Sequence, residues 1–591
     1  MSQKHYYTDE KNAQIVIALL KAHGIKRVIA SPGTTHMAFL GSIQYDPWFK
    51  IWSAIDERHA AFLAVGMAAE SGEPVVLTCT GATASRNYLP ALTEAFYRKL
   101  PILAITSTQP LSRIGNLSSQ LIDRSSPPKD TIKYGVYCPL VANDAQFADC
   151  QLQVNRAILE LSHRGGGPVH INLETSYCRS FETRELPTVR KIQRFCCGDE
   201  LPELPKTAKI VVHIGDHKRF SAKENSALNK FLEAHNAVAV CHAASAWHGS
   251  KRIVSSLVCS QGIGANPKYA NLKPDLIIDI GEMSNDYSRG YFAGIAPVWR
   301  VSVDGEAKDR FGRLESIFEM TEIAFFSHYA VGECDDSYYR AWKSAYDGLL
   351  AKLPDLPFSN LWIGKRFLSV LPKDAILHIG LSSTLQNWAT LLQNVDAETF
   401  SNVGTCGIDG PVSTLIGASL CNPDKLYFGV VGDLTFFYDM NSLGNRHMPS
   451  NFRLIVNNNG CGGLFHMPHH IQEHFGDDLD PYQAAGGHFG RKSQELVKHY
   501  ATDLGFTYLS ASSKEEFEKA LPIFLSADSE RPILFECFTD VENDRIAWGA
   551  RMSLDNYTPD NYAQGKSLPN VIKGFVPQKI KNVIKAIIAE G

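Results

Sequence analysis

Apolar positions along the first third of this chain switch between a helical and a strand period. NAQIVIALLKAHG spaces them as one face of a helix closed by Gly24, and RVIASPG is a short apolar run ending in a glycine turn. DERHAAFLAVGMAAESG is helical again, PVVLTCTGAT is a strand entering a loop, and PILAITST is another strand. This βαβ rhythm predicts an α/β fold built on a parallel sheet. It closes after GGGPVHINLE, residues 165–174, and the mixed charges and three prolines of 179–206 read as a linker. A second α/β rhythm follows in IVVHIGD, NKFLEAHNAVAVCH, PDLIIDIGE and VWRVSVD, with no GxGxxG fingerprint of a dinucleotide site. A third begins near Phe358 with DAILHIG and GPVSTLIGASLC, and ends with EEFEKALPIFLSA and PILFECF. The expected domains are 1–184, 185–350 and 351–545, with a basic tail 546–591 ending in a helix-like NVIKAIIAEG. The first and third share a strand-turn-helix style that hints at two related sheets.

The chemistry concentrates between Leu426 and Gly463. One apolar run there ends in Gly432-Asp433, and a second ends in Asn457-Asn458-Asn459-Gly460. Each reads as a buried parallel strand with oxygen ligands at its C-terminal end, where open α/β sheets bind ligands. An Asp carboxylate, an Asn amide oxygen and a backbone carbonyl suit a hard divalent cation whose octahedron is completed by diphosphate oxygens and water. Taken alone, either dipeptide is also the composition of a plain turn.

Size and composition narrow the class. At 591 residues the chain exceeds one core, and a net charge of −4 with 20% charged residues favours neither nucleic acid nor an anionic membrane as partner. No apolar segment is long enough to span a bilayer, and MSQKHYYTDEKN lacks a signal core. Thirteen scattered cysteines without a CxxC pair fit reduced thiols in a cytoplasm.

Further motifs fall in a telling order. Glu57 opens a helix in AIDERHAAFLAVGMA, where alone it would be a favourable dipole contact. With it stand SPG (residues 31–33), TGAT around Gly81, Gln120, GPVHIN (residues 167–172), GIDG and GDL…NNNG. From Thr8 to about Thr539 this order resembles the thiamine-diphosphate-dependent 2-oxo acid decarboxylase and carboligase superfamily. Within it, the chain is most similar to the 2-succinyl-5-enolpyruvyl-6-hydroxy-3-cyclohexene-1-carboxylate synthases of the menaquinone pathway. The resemblance implies three Rossmann-like domains: pyrimidine-binding, middle and diphosphate-binding. It also implies a cofactor held between the first domain of one subunit and the third of its neighbour, hence a homodimer or homotetramer.

The resemblance assigns roles residue by residue. Glu57 would hydrogen-bond the cofactor's pyrimidine nitrogen, with Pro32, Gly33, Gly81, Thr83 and Asn87 around that ring. Gly407 and Ile408 would hold the cofactor's bend, and Gly432, Asp433 and Leu434 its diphosphate. Asp433, Asn458 and the Gly460 carbonyl would bind Mg²⁺. Gln120 falls where the superfamily places a glutamine near the reacting carbon; the alternative is a surface turn. The substrate side departs from the pattern. Where the synthases carry carboxylate-binding arginines, this chain has Thr35 after SPG, Gln386 in the Ser382 loop, and Val403 before CGIDG. Arg289 is a candidate retained carboxylate partner. Loss of bidentate guanidinium clamps removes selectivity for multiple carboxylates, so a rebuilt pocket is expected.

Histidines are the conspicuous gains. His36 would project from the first sheet toward the cofactor as a proton shuttle, or else pack against its loop. HMPHHIQEH contains His466, His469, His470 and His474, and His470 and His474 have the four-residue spacing that helical zinc sites use. No HExxH or carboxylate third ligand is evident, so a lid with His466 facing substrate is the expectation. The expected activity is decarboxylation of a 2-oxo acid and transfer of the acyl anion to an unknown acceptor. A simple decarboxylase or acetolactate-type synthase, and a non-catalytic relative, are the alternatives; retention of Glu57 argues against the last.

Overall fold

A computed structural model describes residues 6–555 apart from 206–207, 262–266, 333, 335, 469 and 489–491. The expected tail helix NVIKAIIAEG lies outside the described residues.

The first sheet comprises β1 (Arg27–Ala30), β2 (Lys50–Ser53), β3 (Val75–Cys79), β4 (Ile102–Thr108), β5 (Tyr134–Cys138) and β6 (Val169–Glu174). Its order is β2-β1-β3-β4-β6-β5, and every pair is parallel. The inner strands β3 and β4 are buried along their whole length, as expected for strands covered on both faces. Helix Glu57–Ser71 lays Ala60, Ala61, Ala64, Val65 and Ala68 against this sheet. These small side chains bring the helix close, and Asp56 caps its start by accepting the His59 N–H.

The middle sheet holds β7 (Gln193–Cys196), β8 (Ile210–Ile214), β9 (Ala237–Cys241), β10 (Arg252–Val254), β11 (Leu276–Ile280), β12 (Val298–Ser302) and β13 (Leu314–Glu319). Its order is β10-β9-β8-β11-β12-β13-β7. Strand β7 corrects the expected linker: it lies inside 179–206 and pairs in parallel with β13. Polar residues there are spent internally. Arg194 donates to the carbonyls of Leu159 and Gly305, and Phe195 stacks on Phe318.

The third sheet comprises β14 (Ile376–Ile379), β15 (Glu398–Phe400), β16 (Tyr427–Gly432), β17 (Phe452–Asn458), β18 (Thr507–Ala511) and β19 (Ile533–Phe538). Its order, β15-β14-β16-β17-β19-β18, repeats that of the first sheet strand for strand, again all parallel. Two apolar layers cover its faces, one around Phe367, Trp388, Phe428 and Phe535, the other around Leu415, Phe436 and Leu454. By compactness the chain forms two units. One is Met1–Leu204 with Leu276–Ile278 and Ala293–Phe325; the other is Pro205–Asp275 with Asp279–Phe292 and Phe326–Gly591. The first sheet lies wholly in the former and the third wholly in the latter. Helix Val541–Met552 runs through residue 546, where the tail was expected to begin.

Candidate active site

The third sheet brings the predicted oxygen ligands together. Strands β16 and β17 are neighbours, with Gly432 in register with Asn457, so Asp433 and Asn458 leave the sheet side by side. The Gly460 N–H donates to Asn458 Oδ1 at 3.1 Å and also faces the Asp433 carboxylate. Gly460 adopts φ +78°, the left-handed conformation that folds this turn back over the strand ends.

Three carboxylates are buried around this turn. Burial pushes the pKa of Asp433 up to about 7, and the charge of Asp544 adds to the shift. Burial likewise pushes Glu536 up to about 7 and Asp544 up to about 6. Among the described residues no lysine or arginine pairs with any of them. Each is held by neutral donors instead. Glu536 accepts from Asn458 Nδ2 at 2.7 Å and from the Tyr508 hydroxyl at 2.8 Å. Asp544 accepts from the Asn360 N–H, Asn459 Nδ2 and Thr539 Oγ1. Glu536 thereby fixes the nitrogen end of the Asn458 amide and leaves its oxygen on the Gly460 side. A divalent cation would neutralise the buried charge, and an all-oxygen donor set suits a hard ion. The residues present fit a Mg²⁺-bound diphosphate. Sequence reasoning missed Glu536, Asp544 and Tyr508, which lie about 48–84 residues beyond Gly460 along the chain; the only signal was a lone acid, Glu536, inside the apolar strand Ile533–Phe538.

Around the turn, Gly407 is tightly packed, since a Cβ there would meet Asp409 Oδ1 at 2.5 Å. Ile408 is half-buried against the core, and Leu434 is the second residue of helix Asp433–Asp439. Ser382, with φ 66°, precedes helix Ser383–Trp388.

At the C-terminal ends of the first sheet, Glu57 is half-buried at the start of its helix. Its charge reaches inward. Cys79 is pushed up to about 12, chiefly by burial and in part by Glu57, and Tyr88 is raised well above its ordinary value by burial, then by Cys79 and Glu57. Gly33, at φ +152°, lies flat on Thr80, where a Cβ would fall 2.0 Å from Thr80 Cγ2. Pro32, Thr83 and Asn87 are exposed, and Gly81 approaches the Ser107 carbonyl so closely that a Cβ would sit 2.9 Å from it. Gln120 is exposed on a turn with φ 58°.

The structure contradicts the projection expected of His36 and gives the other substrate-side residues the following surroundings. His36 does not project. It is buried, its Nδ1 lies 3.1 Å from Thr78 Oγ1, and burial lowers its pKa to about 4, so it is a neutral packing group. Thr35 is occupied internally, accepting from the Gly81 N–H and meeting Ser107 Oγ at 3.2 Å. Val403 is buried in the core, and Gln386 accepts from the Tyr287 hydroxyl at 2.9 Å. Arg289 is exposed. His466 is taken up by Asp480, its Nε2 2.9 Å from Oδ1. His470 and His474 share no helical face: His470 Nδ1 accepts from the Gln472 N–H in a turn, and His474 meets the Ile471 carbonyl. His469 lies outside the described residues. One residue missed altogether is Arg124, buried beneath the first sheet's edge, where it donates to Thr106 Oγ1, the Ser107 carbonyl and Asn172 Oδ1. Burial lowers its pKa to about 10, and its charge helps hold His170 down at about 3.

Residues 10–126 match the family model of the thiamine pyrophosphate enzyme N-terminal TPP-binding domain. A relative from Bacteroides fragilis is 30% identical over 580 residues, covering 93% of this chain and 99% of the relative. It is named 2-succinyl-5-enolpyruvyl-6-hydroxy-3-cyclohexene-1-carboxylate synthase. The chain belongs to this synthase family. Relatives of the same name from Phocaeicola vulgatus and Bacteroides thetaiotaomicron are each 29% identical and cover 91% and 93% of the chain, and 97% and 99% of their own lengths. As a member of the family the chain is a thiamine-diphosphate-dependent enzyme. It decarboxylates a 2-oxo acid and joins the acyl anion to an acceptor.

Proposed function

We propose that this synthase-family enzyme uses Mg²⁺ to anchor thiamine diphosphate at Asp433, Asn458 and Gly460, and that its acceptor is less anionic than isochorismate. The observation that carries the first part is the set of three buried carboxylates without a cation around the Gly460 turn. When bound, the cofactor supplies a nucleophilic carbon and an electron sink for loss of CO₂. The chain's own residues do the rest. Glu57 presents a carboxylate to the pyrimidine ring, where it sets the ring's proton distribution. Gly33 and Gly81 let backbone approach closely, and Ile408 supports the cofactor's bend. Glu536 orients the Asn458 amide so that its oxygen, not its nitrogen, faces the metal. Gln120, exposed on its turn, is left for the reacting carbon.

The second part rests on Thr35, Gln386 and Val403. Each stands where the family resemblance implies an arginine, and each is neutral and engaged inside the fold. With these clamps gone, a tricarboxylate-like pairing of donor and acceptor has few partners, and an acceptor carrying hydroxyl or carbonyl groups fits better. The catalytic unit on this reading is a homodimer or homotetramer, with domain limits near 184, 350 and 545. Thirteen scattered cysteines without a CxxC pair support a cytoplasmic location, and no helix among the described residues is long and apolar enough to cross a membrane.

The test is CO₂ release from a panel of 2-oxo acids, chiefly 2-oxoglutarate and pyruvate, with thiamine diphosphate and Mg²⁺. Release from one acid that is lost in Glu57→Gln supports the reading. Equal release from the variant contradicts it. Adding isochorismate tests the acceptor: rapid consumption of it would overturn the rebuilt pocket.

A further inference from the structure

We propose that Cys461, His466 and Asp480 form a second metal site, for a softer divalent ion of the zinc class. Each offers one ligand atom, and the three atoms lie within 4.8 Å of one another. The loop after Gly460 assembles them. Cys461 follows the turn directly, helix Gly463–His466 delivers His466 five residues on, and Asp480 follows the short helix Glu473–Leu479. His466 Nε2 and Asp480 Oδ1 already stand 2.9 Å apart.

The surroundings hold the ligands in place. Cys461, Leu479 and Ala484 form a buried apolar floor with Phe465 and Val541 packed on it. The Gly462 N–H is tied to the Ala484 carbonyl and the Gly486 N–H to the Asp480 carbonyl, closing the loop on itself. Gly486 presses on the Asp480 side chain, since a Cβ there would lie 2.7 Å from Asp480 Cγ. On the other side, His466 and Asp480 line an open cavity of about 470 Å³, together with Glu473, Asp540 and Glu542. Three protein ligands and a solvent-facing position are the arrangement of an open tetrahedral site.

Charge and softness agree. A thiolate, a carboxylate and a neutral imidazole balance one divalent ion. Binding releases the Cys461 thiol proton to solvent and forms metal–sulfur, metal–nitrogen and metal–oxygen bonds, with water as the fourth ligand. The Nε2–Oδ1 separation would open from 2.9 Å to roughly 3.3 Å, the edge of a tetrahedron with bonds of about 2.0 Å. Sulfur and imidazole ligands favour zinc or cobalt, whereas the all-oxygen set at Asp433 and Asn458 favours magnesium. The two sites therefore select different ions although one loop supplies both.

The experiment strips the full-length protein of metal with a chelator, returns it to Mg²⁺ buffer and titrates Co²⁺. The expected result is one equivalent of tight binding with tetrahedral visible bands and a thiolate-to-cobalt charge-transfer band. Cys461→Ser should abolish that charge-transfer band, and His466→Gln should weaken Co²⁺ binding roughly tenfold or more. Should Cys461→Ser fail to fold, His466→Gln carries the test alone. Absence of stoichiometric binding, or spectra that neither substitution alters, would overturn the proposal.

Discussion

The first and third sheets share one strand order, yet their C-terminal ends are finished in opposite chemistry. The first ends in hydroxyls, a neutral histidine and a buried arginine, all hydrogen-bonded to one another or to backbone. The third ends in Asp433, Asn458, Glu536 and Asp544, whose carboxylates lack any cationic partner among the described residues. The first edge buries one cation, Arg124, on neutral acceptors; the third buries carboxylates on neutral donors, and an added cation would neutralise them. A common topology thus supplies two platforms, and the residues just past each strand decide which part of a cofactor each can take.

The comparison breaks most directly at Asp433. Asp433→Asn keeps size and removes charge, and should lower Mg²⁺-dependent turnover at least about 100-fold, read from kcat across a Mg²⁺ titration. Unchanged turnover would mean the buried carboxylates are structural. A smaller effect is expected at the orienting shell. Glu536→Gln frees the Asn458 amide to rotate and should weaken Mg²⁺ binding about 10-fold, seen as a shift in the activating concentration. At the first sheet, Arg124→Met strands Asn172 Oδ1 and the Ser107 carbonyl without donors. It should cost about 3 kcal/mol in denaturant unfolding while leaving Mg²⁺ affinity unchanged. A loss of Mg²⁺ affinity there would show that the two edges are not independent.

How much of this was legible follows the same division. Long apolar runs gave away the four inner strands of each sheet, because strands covered on both faces have little choice of residue; the edge strands β2, β5, β15 and β18 were not read, since they carry no such run. Asp433 and Asn458 were readable because each directly follows its strand. Glu536 and Asp544 were not, since they reach the turn through folding rather than through spacing. The same holds for Asp480, fourteen residues beyond His466, which the sequence left without a carboxylate partner. His36 misled for a different reason. The position after SPG points toward a ligand in the resemblance, but His36 immediately precedes helix Met37–Ile43 and its ring is buried against Thr78. Strand β7 was hidden by Arg194, whose guanidinium is taken up inside the fold instead of facing solvent.

The raised carboxylate pKa values also set a pH dependence. In the metal-free protein, carboxyl groups raised from the ordinary range to about 6 or 7 stabilise the fold below pH 4, and that stability is lost as pH rises toward 7. Cation binding must displace those protons, so it strengthens over the same window. The decisive measurement is calorimetric titration of Mg²⁺ with thiamine diphosphate between pH 5.5 and 8 (about the span of the shifted groups), on the native protein and Asp433→Asn. Affinity that falls as pH drops below about 7, with proton release smaller in the variant than in the native protein, is the predicted result. Native and variant curves that coincide across the range would contradict the account.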